Sequence, residues 1–390
     1  MSKQYLLIGA SAASFGALHC LRRLDPQAQI TVIAAESEWP YNKCLLADYL
    51  AGSIDQTALS IYQNPSENVN LIMGQRVVTI DVLNKCVVTD SGNSICYDVL
   101  FLGMGSSPWI PPIPGIESHG VFTFHTNADV NALLDSIKKH AAKKVTVIGA
   151  GLSGLEAADA LAKHELEVTI VERNKQVLPW MLTESAAKFL HDTINQSGTH
   201  LILNAMVNEV LVSDGCVKGV IVNGQTIETD VLIVATGLRP NTQLCRAATI
   251  ALDDHGVIVN EYMQTSIADI YAGGDLVGVY DQLTGKKLRS CLWPDAMQQG
   301  MHAGMAMAGK PKAYGGISLI SSTAFFGLKY ARAGKIEMAD ALMKKSDNFH
   351  HTFLLKDGVL TAFEVLGNEH NLGALRRKLL TKQPVHFDEL

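Results

Sequence analysis

The sequence lacks three features that would place a protein in an obvious class. No uninterrupted apolar stretch is long enough to span a bilayer, and no charged-then-apolar leader follows Met1. Basic residues are not in excess, because 32 lysines and arginines stand against 38 aspartates and glutamates, for a net charge of −6. We therefore expect no membrane and no nucleic acid among its partners, and we predict a cytoplasmic protein.

Paired cysteines and metal-binding spacings are also missing. The seven cysteines are widely spaced without any CxxC pair, which predicts reduced thiols rather than a disulfide framework. The thirteen histidines form no set with the spacing of metal ligands, so we expect no metal site and interpret His350-His351 as surface residues. What remains is an ordinary globular composition over 390 residues, enough for two or three domains.

The most informative stretch, residues 145–172, reads VTVIGAGLSGLEAADALAKHELEVTIVE. An apolar strand leads through Gly149, Gly151 and Gly154 into an alanine-rich helix, and a second apolar strand ends on Glu172. The three glycines permit, in turn, a tight turn, the approach of a pyrophosphate to the backbone, and close packing of helix on strand. The helix N-terminus then offers free N–H groups to the phosphates. This pattern predicts a dinucleotide-binding βαβ unit.

Glu172 bears on the choice of nucleotide. It follows the first glycine by about twenty residues, where a carboxylate can hold a ribose 2′-hydroxyl and repel a 2′-phosphate. The neighbouring Arg173 works against that discrimination. On balance we predict NADH, with NADPH less favoured.

Residues 5–36 repeat the same pattern. A strand at 5–8 leads to Gly9, with Ser11 and Ser14 in place of the other two glycines, and a helix then continues to about residue 23. A second strand at 30–34 precedes Glu36. Serine still permits close approach, and its hydroxyl can bond a phosphate. Two such units predict two dinucleotides, FAD first and a nicotinamide nucleotide second.

With these two units the chain resembles a known family, the FAD- and NAD(P)-dependent pyridine nucleotide oxidoreductases. It is most similar to the branch of NADH–rubredoxin reductases and the flavin domains of assimilatory nitrite reductases, over almost its full length. The resemblance rests on PYNKCLL at 40–46, YDVLFLGMG at 97–105, PPIPG at 111–115, DVLIVATG at 230–237, TSIADIYAGGD at 265–275 and LWPDA at 292–296.

The resemblance implies an α/β fold with two Rossmann-like dinucleotide-binding domains and a small C-terminal α+β interface domain. The NAD domain, residues 111–240, is inserted in the FAD domain, residues 1–110 and 241–315, and the interface domain covers 316–390. It implies a flavoprotein that transfers hydride from nicotinamide C4 to flavin N5. The cofactor-binding candidates are Gly9, Ser11, Ser14, Glu36, Lys43, Gly105, Asp275, Trp293, Gly149, Gly151, Gly154, Glu172 and Gly237.

Two residues are candidates for catalysis. In related reductases a glutamate at the position of Glu156 pairs with a lysine near flavin N5, but the matching position here is Asp48, and Lys43 would have to substitute. Glu156 as an ordinary helix-surface acid is the alternative. Cys44 stands where single-cysteine relatives carry a redox cysteine, and near Lys43 its pKa could be lowered. The alternative is that Cys44 is a small apolar filler.

The functional hypotheses differ in what accepts the electrons from the reduced flavin. Between residues 286 and 335 there are eight basic residues and one acid, which could steer a small acidic redox carrier of the rubredoxin or ferredoxin type, or could serve only as a solvated face. Our first hypothesis is an FAD-dependent NADH oxidoreductase that passes electrons to such a carrier. The alternatives are a Cys44-dependent NADH oxidase, peroxidase or disulfide reductase, and a flavin-bearing docking subunit of a larger redox complex. The sequence leaves the oligomeric state open.

Overall fold

A computed structural model of the chain describes residues 3–61, 68–336, 341–368 and 371–386. The chain divides into two compact units. Unit 1 comprises Met1–Leu45, Asp55–Ser107 and Leu238–Ile317, and unit 2 comprises Leu46–Ile54, Pro108–Gly237 and Ser318–Leu390. In the described ranges the α-helices are α1 (Ala12–Leu24), α2 (Leu46–Leu50), α3 (Asn127–His140), α4 (Leu152–Ala162), α5 (Glu184–Gln196), α6 (Gln243–Ala247), α7 (Trp293–Met307) and α8 (Leu372–Thr381).

Unit 1 is built on a five-stranded parallel sheet. Its strands are, in order across the sheet, Ile270–Ala272, Val99–Leu102, Gln4–Ile8, Gln29–Ala34 and Val69–Met73. Two adjacent central strands are apolar and almost wholly buried, as expected of a parallel sheet that is covered on both faces. The predicted strands at 5–8 and 30–34 are confirmed as neighbours in this sheet.

Smaller elements complete unit 1. A three-stranded antiparallel sheet joins Val77–Asp81, Cys86–Thr89 and Ser94–Cys96, and further short strands are Ser106–Pro108, Leu238–Pro240, Leu252–Asp253, Gly256–Val257, Val279–Tyr280 and Lys287–Leu288. Short 3-10 helices cover Lys43–Leu45, Gln56–Leu59 and Gly274–Leu276.

Helices α1 and α7 of unit 1 pack against each other through small residues. A Cβ atom added to Gly300 would lie 1.9 Å from the carbonyl oxygen of Ala13, and one added to Gly16 would lie 2.2 Å from that of Met297. Backbone therefore meets backbone, and no larger side chain fits unless the helices separate. The contact fixes α1, which starts directly after the Gly9 turn.

Unit 2 contains a second parallel sheet of five strands. Their order is His200–Ile202, Glu167–Val171, Lys144–Ile148, Val231–Val234 and Val121–Thr123. Beside it lies an antiparallel sheet of Val207–Ser213, Cys216–Val222 and Gln225–Glu228. The predicted α/β architecture with parallel sheets is thus observed in both units.

The C-terminal part of unit 2 is a five-stranded antiparallel sheet. Its order is Ile320–Phe325, Leu328–Ala333, Val359–Leu366, His350–Lys356 and Ala341–Lys345, followed by α8. The predicted surface position of His350 and His351 is wrong, because they are only 4% and 5% exposed. They belong to an interior strand of this sheet, and the ring of Phe189 on α5 lies 6.2 Å from that of His350.

The prediction of reduced thiols is wrong for one pair. Cys86 and Cys96 form a disulfide between neighbouring strands of the small antiparallel sheet, whereas the other five cysteines, all within the described ranges, form no disulfide. The two cysteines are ten positions apart in the sequence, which matches no cysteine motif. Only the hairpin brings them together, so their spacing did not indicate the pairing. None of the helices in the described ranges has the length and apolarity needed to cross a membrane.

Candidate functional site

The first glycine turn lies at the carboxyl end of the strand Gln4–Ile8 in unit 1. Gly9 has φ +100°, and an added Cβ would meet the carbonyl oxygen of Gly103 at 2.2 Å, so only glycine fits there. Ser11 is the N-cap residue of α1, and its side chain makes no capping hydrogen bond. The Ser11 hydroxyl thus does not cap the first-turn N–H groups of α1, as suits an anion-binding helix end.

Ser14 takes the packing role of the third glycine. It is 2% exposed, its Oγ has no hydrogen-bond partner among the described residues, and a Cβ on Gly103 would lie only 2.3 Å from that oxygen. The structure therefore places Ser14 against the neighbouring strand end, whereas Ser11 stands at the start of the helix.

Glu36 lies in a polar cluster with two residues of the PYNKC segment. Its Oε1 accepts from Lys43 Nζ at 2.9 Å and its Oε2 accepts from the Tyr41 hydroxyl at 2.5 Å. Lys43 Nζ also lies 5.7 Å from the centre of the Tyr41 ring. The ammonium group of Lys43 is thus committed to a carboxylate within unit 1.

Asp275 is positioned at the end of the strand Ile270–Ala272. Its Oδ2 accepts from Ser106 Oγ at 2.8 Å, and the preceding Gly274 N–H donates to Oε1 of Gln299 on α7 at 2.7 Å. Gly105, which directly precedes Ser106, has φ +62° and open space where a side chain would point. Ser106 and Gln299 were not singled out from the sequence, and only their contacts reveal them.

The start of α7 belongs to the same neighbourhood. Trp293 is its first residue and is partly buried, with a proline in the first turn. Cys291, two residues earlier, is exposed as a residue, but burial of its thiol, followed by the charge of Asp275, raises its pKa to about 12. A thiol with that pKa stays protonated at neutral pH.

The second glycine turn lies in unit 2 and has the same geometry. Gly149 has φ +104°, and an added Cβ would lie 2.4 Å from the carbonyl oxygen of Ala235. Gly154 lies against the carbonyl oxygen of Gly149, where a Cβ would come within 2.0 Å. Gly151, the N-cap residue of α4, instead has nothing within 4 Å of an added Cβ. The described residues thus leave open space at the middle glycine, which the approach of a pyrophosphate would require.

Glu172 is bonded to the glycine turn itself. It is 5% exposed, its Oε2 accepts from the N–H of Ala150 at 2.8 Å, and its Oε1 accepts from the N–H of Asn174 at 2.8 Å. These bonds give the carboxylate a structural task that the sequence did not indicate. Gly237 ends the next strand with φ +113°, and its carbonyl oxygen accepts from the N–H of Trp109 at 2.9 Å.

Glu156 on α4 is not a solvated surface acid. Its Oε1 accepts from Thr323 Oγ1 at 2.6 Å. Burial raises the pKa of its carboxyl, the Thr323 hydrogen bond opposes that rise, and the charge of Asp48 adds to it. A cavity of about 280 Å³ opens beside it, whose charged and polar lining is Asp48, Glu156, Asp159, Lys163, Lys329 and Asn368.

Cys44 is exposed in the 3-10 turn Lys43–Leu45, and its backbone N–H donates to Oδ1 of Asn42 at 3.0 Å. Its neighbour Lys43 is bonded to Glu36, so the activation that we considered for a Cys44 thiolate is weakened by a counter-charge.

The basic residues between 286 and 335 are divided between the two units. Five belong to unit 1 and three to unit 2. Lys287 pairs with Asp253, Arg289 donates to the carbonyl oxygen of Leu238, and Arg332 donates to that of Trp180. These three positively charged side chains therefore have structural partners, and one of them, Lys287, is paired with a carboxylate.

We expect the stability of the chain to depend on pH through Glu156. Burial raises the pKa of Glu156 in the folded state above the ordinary value of 4.5. At pH values between 4.5 and the folded pKa, the folded state therefore binds more protons than the unfolded state. Stability contributed by Glu156 is therefore highest at low pH and falls as pH rises through the folded pKa. Glu156→Gln should flatten the fall of the thermal midpoint above about pH 4.5, the ordinary pKa of a glutamate.

Two further variants make this prediction specific. Thr323→Val removes the hydrogen bond that lowers the pKa of Glu156, so the fall should extend to higher pH. Glu167→Gln, which changes an exposed glutamate of the same unit, should leave the profile of the midpoint unchanged. If Glu156→Gln and Glu167→Gln give the same profile, Glu156 does not titrate as a buried acid.

Comparison with known proteins agrees with this geometry. The family model described as pyridine nucleotide-disulphide oxidoreductase matches residues 3–300. An NADH oxidase of Methanocaldococcus jannaschii is 35% identical over 313 residues, which are 78% of this chain and 70% of that protein. The NADH-dependent phenylglyoxylate dehydrogenase subunit epsilon of Aromatoleum evansii is 28% identical over 97% of this chain and 92% of its own length.

Two solved structures share the fold almost from end to end. A NAD-dependent persulfide reductase from A. fulgidus superposes with a TM-score of 0.90 and 26% identity, over 98% of this chain and 77% of the other. A ferredoxin reductase of the CYP199A2 system from Rhodopseudomonas palustris gives a TM-score of 0.85 and 25% identity, over 94% and 91%.

Proposed function

Because this chain belongs to the pyridine nucleotide-disulphide oxidoreductase family and is an FAD-dependent NAD(P)H oxidoreductase, we propose that it passes electrons from NADH to a small redox carrier protein. The observation that carries the choice of acceptor is the match to a ferredoxin reductase over 94% of this chain and 91% of the other. The ion pair between Lys43 and Glu36 supports the same choice, because the carboxylate offsets the lysine charge that would favour a reactive thiolate at Cys44.

Unit 1 would hold FAD. The turn at Gly9 and the open N-terminus of α1 suit the pyrophosphate, and we assign Ser11 as the side chain beside it. Asp275 would accept hydrogen bonds from ribityl hydroxyls, with Ser106 fixing its orientation. The remaining candidates in this unit are Ser14, Glu36, Lys43, Gly105 and Trp293. When bound, the flavin supplies the chemistry, namely acceptance of a hydride and its release as electrons.

Unit 2 would hold NADH. Gly149 and Gly154 keep the turn tight, and Gly151 leaves room for the pyrophosphate at the N-terminus of α4. Glu172 holds the turn through Ala150 and would oppose a 2′-phosphate by charge, so we propose NADH as the preferred nucleotide. Gly237 is the remaining candidate of this unit. Glu156 retains a proton to higher pH than an ordinary glutamate and is the acid that we propose for the nicotinamide side.

Anaerobic titration with NADH, followed by flavin absorbance, tests the proposal. We expect bleaching to finish after one two-electron equivalent, both in the natural protein and in Cys44→Ser. The variant should also reduce a rubredoxin or ferredoxin at an unchanged rate. Uptake of two equivalents by the natural protein alone, with a new long-wavelength band between them, would instead assign a redox role to Cys44. Absence of bleaching would contradict the use of NADH.

A second candidate function is favoured by a separate observation. The match to the subunit epsilon of phenylglyoxylate dehydrogenase extends over 97% of this chain and 92% of that protein. The chain could therefore be the NADH-oxidising subunit of a larger complex. Size-exclusion chromatography of the protein from its native source would distinguish the two. Elution with other subunits, together with slow reduction of every soluble carrier, would favour the complex.

A further inference from the structure

The disulfide of unit 1 takes no part in the cofactor sites described above. Cys86 and Cys96 face each other directly in the register of two antiparallel strands, Cys86–Thr89 and Ser94–Cys96. We propose that this pair is a reversible thiol–disulfide exchange site that accepts small thiols or a protein dithiol as reductant. The proposal is independent of the electron acceptor of the flavin.

The pair lies on the accessible face of its sheet. Cys96 is exposed and Cys86 is half-buried, whereas Val87 and Thr89, which point to the other face, are 0% and 1% exposed. Exchange requires a thiolate to reach one of the bonded sulfurs, and the rate depends on that access. Cys96 is therefore the sulfur that an incoming thiolate attacks.

The hairpin that carries the pair is closed without the covalent bond. At its base the N–H of Tyr97 donates to the carbonyl oxygen of Lys85 at 2.9 Å, and at its tip the N–H of Thr89 donates to that of Asn93 at 3.0 Å. Lys85 Nζ is also paired with Asp269 at 2.7 Å. Because the loop is short and already closed, the disulfide removes little further freedom from it.

Reduction should therefore leave the two thiols opposite each other. The two residues are partners in the strand register with their Cα atoms 4.0 Å apart, and the backbone hydrogen bonds at the base and tip of the hairpin hold that register. Re-formation of the bond then needs only an oxidant and no rearrangement of the chain. A pair that both opens and closes in the folded state is what distinguishes an exchange site from a structural cross-link.

The proposed exchange proceeds in two displacement steps. A thiolate of the reductant attacks Sγ of Cys96, a new S–S bond forms, and the bond to Cys86 breaks, so that Sγ of Cys86 leaves as a thiolate and takes a proton. A second thiolate of the reductant then displaces Sγ of Cys96 from the mixed disulfide. The reductant ends as a disulfide, and the two cysteines have gained two electrons and two protons.

The test is a redox titration of the full-length holoprotein. The protein is equilibrated in mixtures of reduced and oxidised glutathione, quenched with acid and alkylated, and each cysteine is quantified by peptide mass. We expect Cys86 and Cys96 to change together from disulfide to two alkylated thiols, while circular dichroism and the flavin spectrum stay constant. Buried Cys20 and Cys245 serve as internal controls and should remain unlabelled before unfolding.

Single variants test which of the two sulfurs is the more accessible to an exchange partner. In oxidised glutathione, Cys86→Ser should form one mixed disulfide at Cys96 about 5-fold or more faster than Cys96→Ser forms one at Cys86, because Cys96 is the more exposed. The proposal is overturned if the pair stays bonded in every native mixture, if it never closes in oxidised buffer, or if reduction occurs only with loss of the circular dichroism signal.

Discussion

Gly300→Ala is expected to destabilise the protein by about 3 kcal/mol or more and to lower its FAD content. The added Cβ would lie 1.9 Å from the carbonyl oxygen of Ala13 and 2.8 Å from its carbonyl carbon. Both are backbone atoms, so no side chain can rotate away and α7 must shift from α1. Since α1 begins directly after the Gly9 turn, the same shift displaces the helix end that we assign to the pyrophosphate.

The measurement is thermal unfolding of the variant together with the flavin-to-protein absorbance ratio after purification. Gln298→Ala is the matched control, because Gln298 lies on the exposed face of the same helix. Gly16→Ala approaches the same interface from α1, with its Cβ 2.2 Å from the carbonyl oxygen of Met297, and should behave like Gly300→Ala. An unchanged midpoint in both glycine variants would show that the helices are not in backbone contact.

Asp275→Ala is expected to weaken FAD binding by about 30-fold or more while the apoprotein stays folded. Hydrogen bonds to a charged group contribute about 1.5–3 kcal/mol each, and every 1.4 kcal/mol is a factor of ten in affinity. Asp275 is already oriented by Ser106 at 2.8 Å, so little is lost in ordering it when a ligand binds.

Flavin release during dialysis, followed by titration of the apoprotein with FAD, gives the two affinities. Ser106→Ala is the graded control, because it leaves the carboxylate but removes its orienting hydroxyl, and its effect should be several-fold smaller. Equal FAD affinity in Asp275→Ala and the natural protein would remove Asp275 from the flavin site. A fall in the unfolding midpoint of apo Asp275→Ala would instead show that the residue serves the fold.

The sequence by itself determined the two glycine turns and the sheets around them. Glycine at 9 and 149 is dictated by positive φ and by a neighbouring carbonyl oxygen, and these are local constraints that leave a local signature. The apolar strands beside each turn are equally local, since burial on both faces requires continuous hydrophobic residues. Family, fold class and nucleotide chemistry could therefore be predicted from short stretches of sequence.

Only the tertiary structure decided the partners of individual side chains. Glu156 meets Thr323 from 167 residues further along the chain, and Asp275 meets Ser106 from 169 residues earlier. No periodicity or spacing encodes a pairing over such a separation. The same holds for the basic residues, whose linear cluster is divided between two units and partly engaged in bonds within them.

The disulfide and the two buried histidines likewise depend on tertiary structure and could not be predicted from the sequence. Cys86 and Cys96 carry no spacing motif, and their bond follows from the register of a hairpin. His350 and His351 read as polar surface residues, but their strand lies inside a five-stranded sheet and both are buried. Local sequence fixes which backbone conformations are allowed, whereas burial and contact are properties of the whole packed chain, and these were settled only when the elements came together.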